Sequence, residues 1–345
     1  MKSSLLRRLF PQKNPVQALL QRVLPKPQGA AWLRGDYAEP RARGFLGRSR
    51  NRELSYRLFL PARNEATERL PLLVMLHGCT QDALKFAEGT RMNAHAAAAG
   101  FAVLYPEQRQ RANALRCWNW FDPEVIAGES ESALLIRVLD EVLRKHPLDG
   151  RQVYLCGFSA GAAMAAVLAA RFAMRFRACV LYSGLMYGAA DNAIQALKVM
   201  RSGASADPEQ LARTLTEQLG IDAVPVPTLV IYGTADEVVN PINSEQILAQ
   251  LCTLCDLCGV ALTAGSPIES TDNDRQYSSR DYRHGETLYV RTVRIEALGH
   301  AWSGGDPQHE YFEAGEPDAS QLIVAFLEEA STAQVALPEQ QPTLA

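Results

Sequence analysis

Apolar residues run along this chain in two rhythms. Short continuous runs at 56–59, 72–76, 101–105, 153–156, 178–182, 228–232 and 290–295 predict strands. Several are unbroken Val/Ile/Leu stretches, the pattern of a parallel sheet covered on both faces. Between them, Leu134, Leu135, Val138, Leu139, Val142 and Leu143 recur at helical spacing, and His146-Pro147 ends that helix. A last helix is predicted after Pro317-Asp318, with Leu322, Ile323, Phe326 and Leu327 on one face. Strands alternating with helices predict an α/β fold, a mostly parallel central sheet flanked by helices on both faces. Helical pattern at about 186–225, between two core strands, predicts an insertion over the sheet's C-terminal edge. The stretch 265–286 is rich in Ser, Asp, Asn and Arg and reads as a polar loop.

Composition adds bounds. A chain of 345 residues with 47% apolar residues can bury a large core, and a formal charge of −3 leaves no footprint for nucleic acid. No apolar run approaches the roughly 20 residues that span a bilayer. The expected division is a basic extension at 1–50, partly disordered or helical, a catalytic domain at 51–330, and a disordered tail at 331–345, where Gln, Pro, Ala and Thr dominate. The first 27 residues carry Lys2, Arg7, Arg8, Lys13, Arg22 and Lys26, no acid, and a cluster of Leu5, Leu6, Leu9 and Phe10. Arginines and prolines interrupt every candidate signal-peptide core, so an intracellular location is expected over export. Such a segment also suits peripheral contact with a polymer granule or membrane surface. Cys252, Cys255 and Cys258 stand at three-residue spacing, but a structural zinc site wants a fourth ligand and no second cluster exists. No metal is expected.

The chemistry centres on Gly157-Phe158-Ser159-Ala160-Gly161, which follows the run Val153-Tyr154-Leu155-Cys156 and opens an alanine-rich helical stretch. Strand, tight turn and helix with serine at the apex form a G-x-S-x-G nucleophile elbow. A serine needs a positioned base, and the base an orienting carboxylate. In the α/β-hydrolase order the acid follows the serine and the histidine comes last. Asp236 lies just past the strand run 228–232 and is the expected acid, with Glu237 and Asp222 as rivals. His300, on a glycine-bordered loop after the run 290–295, is the expected base. His77 precedes the elbow; His95, His146, His284 and His309 fall in a helix, at a helix end and in polar loops.

An oxyanion needs two N–H donors. Ala160, the residue after the nucleophile, supplies one. The second is assigned to Cys79 in the loop after 72–76, with Gly78 and Thr80 as neighbours that could serve. Cys79 and Cys117 either bridge, anchoring that loop, or stand as two free thiols. Trp118, Trp120 and Phe121 crowd four positions, and they, with Trp302, are expected to form a substrate wall.

Leu76-His77-Gly78-Cys79-Thr80-Gln81, Cys117-Trp118-Asn119-Trp120-Phe121, Gly157-Phe158-Ser159-Ala160-Gly161 and Gly299-His300-Ala301-Trp302-Ser303-Gly304-Gly305 together resemble the polyhydroxybutyrate depolymerase family of esterases. Feruloyl and acetylxylan esterases are its nearer relatives. The similarity runs over roughly 54–330. It implies an α/β-hydrolase fold, a Ser-Asp-His triad on Ser159, Asp236 and His300, no cofactor, and cleavage of hydroxyalkanoate polyester or oligomer links. The expected substrate is therefore a polyester or a small ester. A feruloyl or acetylxylan esterase is the alternative, and a granule- or surface-binding protein with a vestigial site is the remote one. Two features depart from the family: neither a signal peptide nor a separate polymer-binding domain is evident, and the Cys252, Cys255, Cys258 run is not typical.

Overall fold

The continuous apolar runs become the middle of one 11-stranded sheet in the computed structural model, which describes residues 29–39, 53–62, 69–220, 223–272 and 275–332. In chain order the strands are β1 (Ala31–Ala38), β2 (Glu53–Leu60), β3 (Leu70–Leu76), β4 (Ala102–Glu107), β5 (Leu148–Phe158), β6 (Ala178–Tyr182), β7 (Thr228–Gly233), β8 (Thr263–Ala264), β9 (Ile268–Asp272), β10 (Arg275–His284) and β11 (Thr287–Ile295). In space they run β1-β2-β4-β3-β5-β6-β7-β11-β10-β8, with β9 beside β10. From β4 through β11 neighbours are parallel; the flanking pairs are antiparallel. This is the α/β-hydrolase fold.

Side chains alternate across the central strands and feed two separate cores. Leu72, Val74 and Leu76 of β3 and Val153 and Leu155 of β5 face one core. Leu73 and Met75, with Tyr154, Cys156 and Phe158, face the other. Helices cover both: α1 (Ala83–Thr90), α2 (Met92–Ala99), α3 (Ser130–Lys145), α4 (Ala160–Arg171), α5 (Ala193–Ser202), α6 (Pro208–Leu219), α7 (Ile242–Leu257) and α8 (Ala319–Thr332). Local signals set their ends. The Asp82 carboxylate accepts the Lys85 N–H at 2.9 Å to cap α1, and Asp207 caps α6 ahead of Pro208.

Two stretches differ from the sequence-based expectation. Residues 31–38, assigned there to the extension, form edge strand β1 against β2. Leu33, Gly35 and Tyr37 turn inward while Trp32, Arg34 and Asp36 face out. Gly35 has no Cβ because the ring of Tyr56 fills that space, 2.2 Å from where one would stand. The supposed polar loop 265–286 contains all of β9 and β10. An antiparallel edge needs only one face apolar, so a strand such as Arg275–His284, in which only Tyr277 and Ser279 are buried, looks like a loop by composition.

The insertion lies mainly against α7: α5 and α6 pack on it, and Asn243 of α7 holds the Val199 and Met200 carbonyls at 3.1 and 3.2 Å. Among the described residues no helix is long and apolar enough to cross a membrane. The segment 1–27, for which contact with a granule or membrane surface is expected, Asp222 and the tail from 333 lie outside the described residues.

Candidate active site

Ser159 stands at the turn between β5 and α4 with φ 56° and ψ −122°, a conformation that L-residues rarely adopt. Three constraints hold it there. A Cβ on Gly157 would meet the Gly161 carbonyl oxygen at 2.1 Å, and one on Gly161 would meet the Leu76 carbonyl oxygen at 2.1 Å. Only glycine lets the helix start approach both strands so closely. The Ser159 N–H donates to the Tyr182 carbonyl at 2.9 Å. The strained turn is thereby fixed by backbone alone.

Two loops at the same sheet edge supply the partners. Asp236 follows β7 and His300 follows β11, and the loops are tied together: the Ala235 N–H donates to Leu298 O at 3.0 Å, and the Ala297 N–H to Thr234 Oγ1 at 2.9 Å. His300 Nε2 lies 2.9 Å from Ser159 Oγ, and His300 Nδ1 lies 2.8 Å from Asp236 Oδ2. The other carboxylate oxygen of Asp236 accepts the N–H groups of Val238 and Val239 at 3.0 and 2.8 Å. With both oxygens engaged, the carboxylate has one orientation, and it places the imidazole proton on Nδ1. Nε2 is then free to accept from the serine. Glu237, the rival acid, is exposed.

The histidine loop is clamped from below by Tyr182, whose hydroxyl donates to Ala301 O and accepts the Ser303 N–H, both at 3.0 Å. The Tyr182 and Trp302 rings stack at 4.8 Å and 12°. Phe158 stacks on the His300 imidazole at 5.0 Å and 26°, and Tyr311 meets it edge-on at 6.0 Å. Sequence reasoning missed these supports: Phe158 is the variable position of the serine motif, and Tyr182 and Tyr311 carry no motif. Three of the other histidines are engaged elsewhere, His95 with Asp318 at 3.2 Å, His309 with Glu88 at 3.6 Å and His284 with Ala261 O at 2.9 Å.

The first donor assigned to the oxyanion, the Ala160 N–H, belongs to the first residue of α4, where an N–H has no intrahelical partner. In the loop after β3, Gly78 N–H donates to Gln81 Oε1 at 2.9 Å and Thr80 N–H to Leu115 O at 2.6 Å. Cys79 is left as the loop position whose N–H is not spent on either bond. Cys79 and Cys117 are joined by a disulfide.

Behind that loop, the Gln108 N–H donates to His77 Nε2 at 3.1 Å, so the proton of the imidazole sits on Nδ1 and is given to Gly78 O at 2.7 Å. Burial pushes the His77 pKa down to about 4 and keeps the ring neutral. Its backbone carbonyl accepts the Trp118 indole N–H at 3.0 Å.

The tryptophans are where structure and expectation part. Trp118 and Trp302 are fully buried and Trp120 is 4% exposed. Trp118 and Trp120 belong to the core on one side of the sheet and Trp302 to the other. Full burial withholds Trp118 and Trp302 from a substrate wall; Trp118 instead braces the loop that carries Cys79 through His77 O, and Trp302 stacks on Tyr182 beneath the histidine loop. Their indole N–H groups explain the placement, since Trp118 and Trp302 find acceptors inside, the latter in Ser320 Oγ at 3.1 Å. The chain clusters aromatics here because two loops and a turn need rigid packing. Cys252 and Cys255 lie along α7 and Cys258 ends it, its thiol donating to Ala223 O at 3.3 Å. Among the described residues no group of three His, Cys, Asp or Glu side chains is placed to hold a metal ion.

Comparison with known proteins gives this geometry a setting. Residues 54–271 match the family described as esterase PHB depolymerase. Poly(3-hydroxyalkanoate) depolymerase C of Paucimonas lemoignei is 31% identical over 233 residues, 67% of this chain and 54% of that protein. The chain thus spans about half the length of that relative. Feruloyl esterase B of Thermothelomyces thermophilus is 29% identical over 203 residues, 56% of this chain and 67% of that protein. The solved acetyl xylan esterase from Aspergillus awamori shares the fold, with a TM-score of 0.61 and 16% identity over 80% of this chain and 94% of that one.

Proposed function

The chain belongs to the PHB depolymerase family of esterases, and from that premise we propose that it is a serine carboxylic-ester hydrolase acting on 3-hydroxyalkanoate esters. The observation that carries the reading is the unbroken hydrogen-bonded line from Ser159 Oγ through His300 to Asp236.

In this mechanism Ser159 Oγ attacks the ester carbonyl carbon while its proton passes to His300 Nε2. Asp236 stabilises the imidazolium and holds its tautomer. The carbonyl oxygen, now an oxyanion, is received by the N–H groups of Cys79 and Ala160, each such donor being worth about 2.7–4 kcal/mol in the transition state. His300 returns the proton to the leaving alcohol as the C–O bond breaks. Water, deprotonated by the same histidine, then cleaves the acyl-serine and restores the hydroxyl.

The polyester substrate is supported by the depolymerase relative at 31% identity. A feruloyl or acetylxylan substrate would call for indole faces on which an aromatic acid or sugar stacks, and the full burial of Trp118 and Trp302 speaks against that alternative. The test is product analysis by mass spectrometry on a panel of 3-hydroxybutyrate oligomers and hydroxycinnamate esters, with Ser159→Ala alongside. The reading expects hydroxyacid release by the unaltered chain and none by the variant. Faster turnover of methyl ferulate than of every hydroxybutyrate oligomer would overturn the substrate, and turnover by Ser159→Ala would overturn the nucleophile.

A further inference from the structure

Glu131 is a carboxyl group with no cation among the contacts that bury it. It is 5% exposed and lies at the second position of α3, where the helix N-terminus favours a negative charge. Each of its three hydrogen bonds comes from a neutral donor. The Asn119 N–H gives 2.7 Å to Oε2, Asn119 Nδ2 gives 3.2 Å to Oε1, and Gln108 Nε2 donates to Oε1 as well. Burial raises its pKa and these donors oppose the rise.

A buried carboxyl is costly, and fold stability alone is as well served by an apolar side chain of similar volume. What an apolar side chain could not do is hold these particular donors. Gln108 Nε2 donates at once to Glu131 and to Cys117 O, at 3.2 Å for the latter, while its backbone N–H fixes His77 Nε2. Asn119 Oδ1 accepts from Asn113 Nδ2 at 3.0 Å, and Asn113 Oδ1 in turn accepts the N–H groups of Leu115 and Cys117 at 3.0 and 3.3 Å. Leu115 O receives the Thr80 N–H, and Cys117 is covalently joined to Cys79. Both loops that set the direction of the Cys79 N–H therefore converge on one carboxylate.

We propose that Glu131 is a positioning residue that aims the Cys79 N–H at the reacting carbonyl by fixing Gln108 and Asn119. The proposal rests on the esterase reading above. It contributes nothing to binding the substrate in its ground state, so its removal acts on kcat.

The test is Glu131→Gln, which keeps the volume but leaves a single acceptor oxygen, so an amide NH2 must face either the Asn119 N–H or the Asn119 Nδ2 and Gln108 Nε2 donors. Gln108→Leu, which cuts the link from the acid to Cys117 O while leaving the backbone bond to His77, is the second variant. Both are measured for kcat and KM on a p-nitrophenyl ester and for amide hydrogen exchange in 77–81 and 113–119. The proposal expects kcat lower by about 10- to 100-fold, the size of a slightly misplaced group, KM within about threefold, and faster exchange confined to those two segments. Folded variants with wild-type kcat and unchanged exchange would overturn it. If the unaltered chain hydrolyses no ester, the esterase reading fails by itself, and the exchange measurement still decides whether Glu131 holds the loops.

Discussion

Phe158 lies flat against the imidazole of His300, 5.0 Å between ring centres. The residue beside the candidate nucleophile therefore also sets the plane of its base. Phe158→Leu keeps an apolar filler but removes the flat surface, so His300 gains rotational freedom. Expected are a kcat reduced about tenfold with KM little changed, and a loss of about 1–3 kcal/mol of stability from the altered core. Steady-state kinetics with urea denaturation checks this; an unchanged kcat would show that Asp236 orients the ring unaided.

Asp236→Asn tests the tautomer. The Val238 and Val239 N–H groups need an acceptor, so they select the amide oxygen and turn the Asn NH2 toward His300 Nδ1. The imidazole proton then moves to Nε2, which can no longer accept from Ser159. A fall of about 10⁴-fold in kcat is expected with the fold intact. Activity within tenfold of the unaltered chain would remove Asp236 from the mechanism.

His77 predicts acid sensitivity. Its pKa is about 4 in the folded chain against about 6.5 when unfolded, so the unfolded chain takes up the proton first. Stability attributable to this group is complete above about pH 6.5, declines as pH falls, and is exhausted near pH 4. The loss approaches about 3 kcal/mol by the end of that window. His77→Gln is expected to have a smaller drop in urea midpoint between pH 7 and pH 4.5. Equal drops in both proteins would assign the acid limb elsewhere.

The Cys79–Cys117 bridge closes a 38-residue separation. In the chain-entropy account its removal costs about 4 kcal/mol, and it frees one anchor of the Cys79 N–H. Cys79→Ser with Cys117→Ser is expected to lower both the thermal midpoint and kcat, and to make both insensitive to reductant. A reductant effect that persists in the double variant would mean another thiol is responsible, Cys252 and Cys258 being the partly exposed ones.

The central sheet was legible because both of its faces are buried. Burial on two sides demands unbroken apolar runs such as Leu72–Leu76 within β3 and Leu229–Tyr232 within β7. The elbow was legible for a related reason: Gly157 and Gly161 mark contacts where a Cβ does not fit, and such a demand falls on individual positions. Strands β1 and β10 escaped because an edge with one wet face tolerates arginine, serine and aspartate.

Sequence alone thus determined the sheet's parallel core, the serine turn, and which acid and histidine follow the strands at its C-terminal edge. Tertiary structure alone decided that the tryptophans face inward, that Phe158 and Tyr182 grip the histidine loop, and that His77, Gln108, Asn119 and Glu131 form one buried network. Local rhythm records how each segment meets water. It carries no record of which distant segment meets which, and hydrogen-bond networks between loops are made entirely of such meetings.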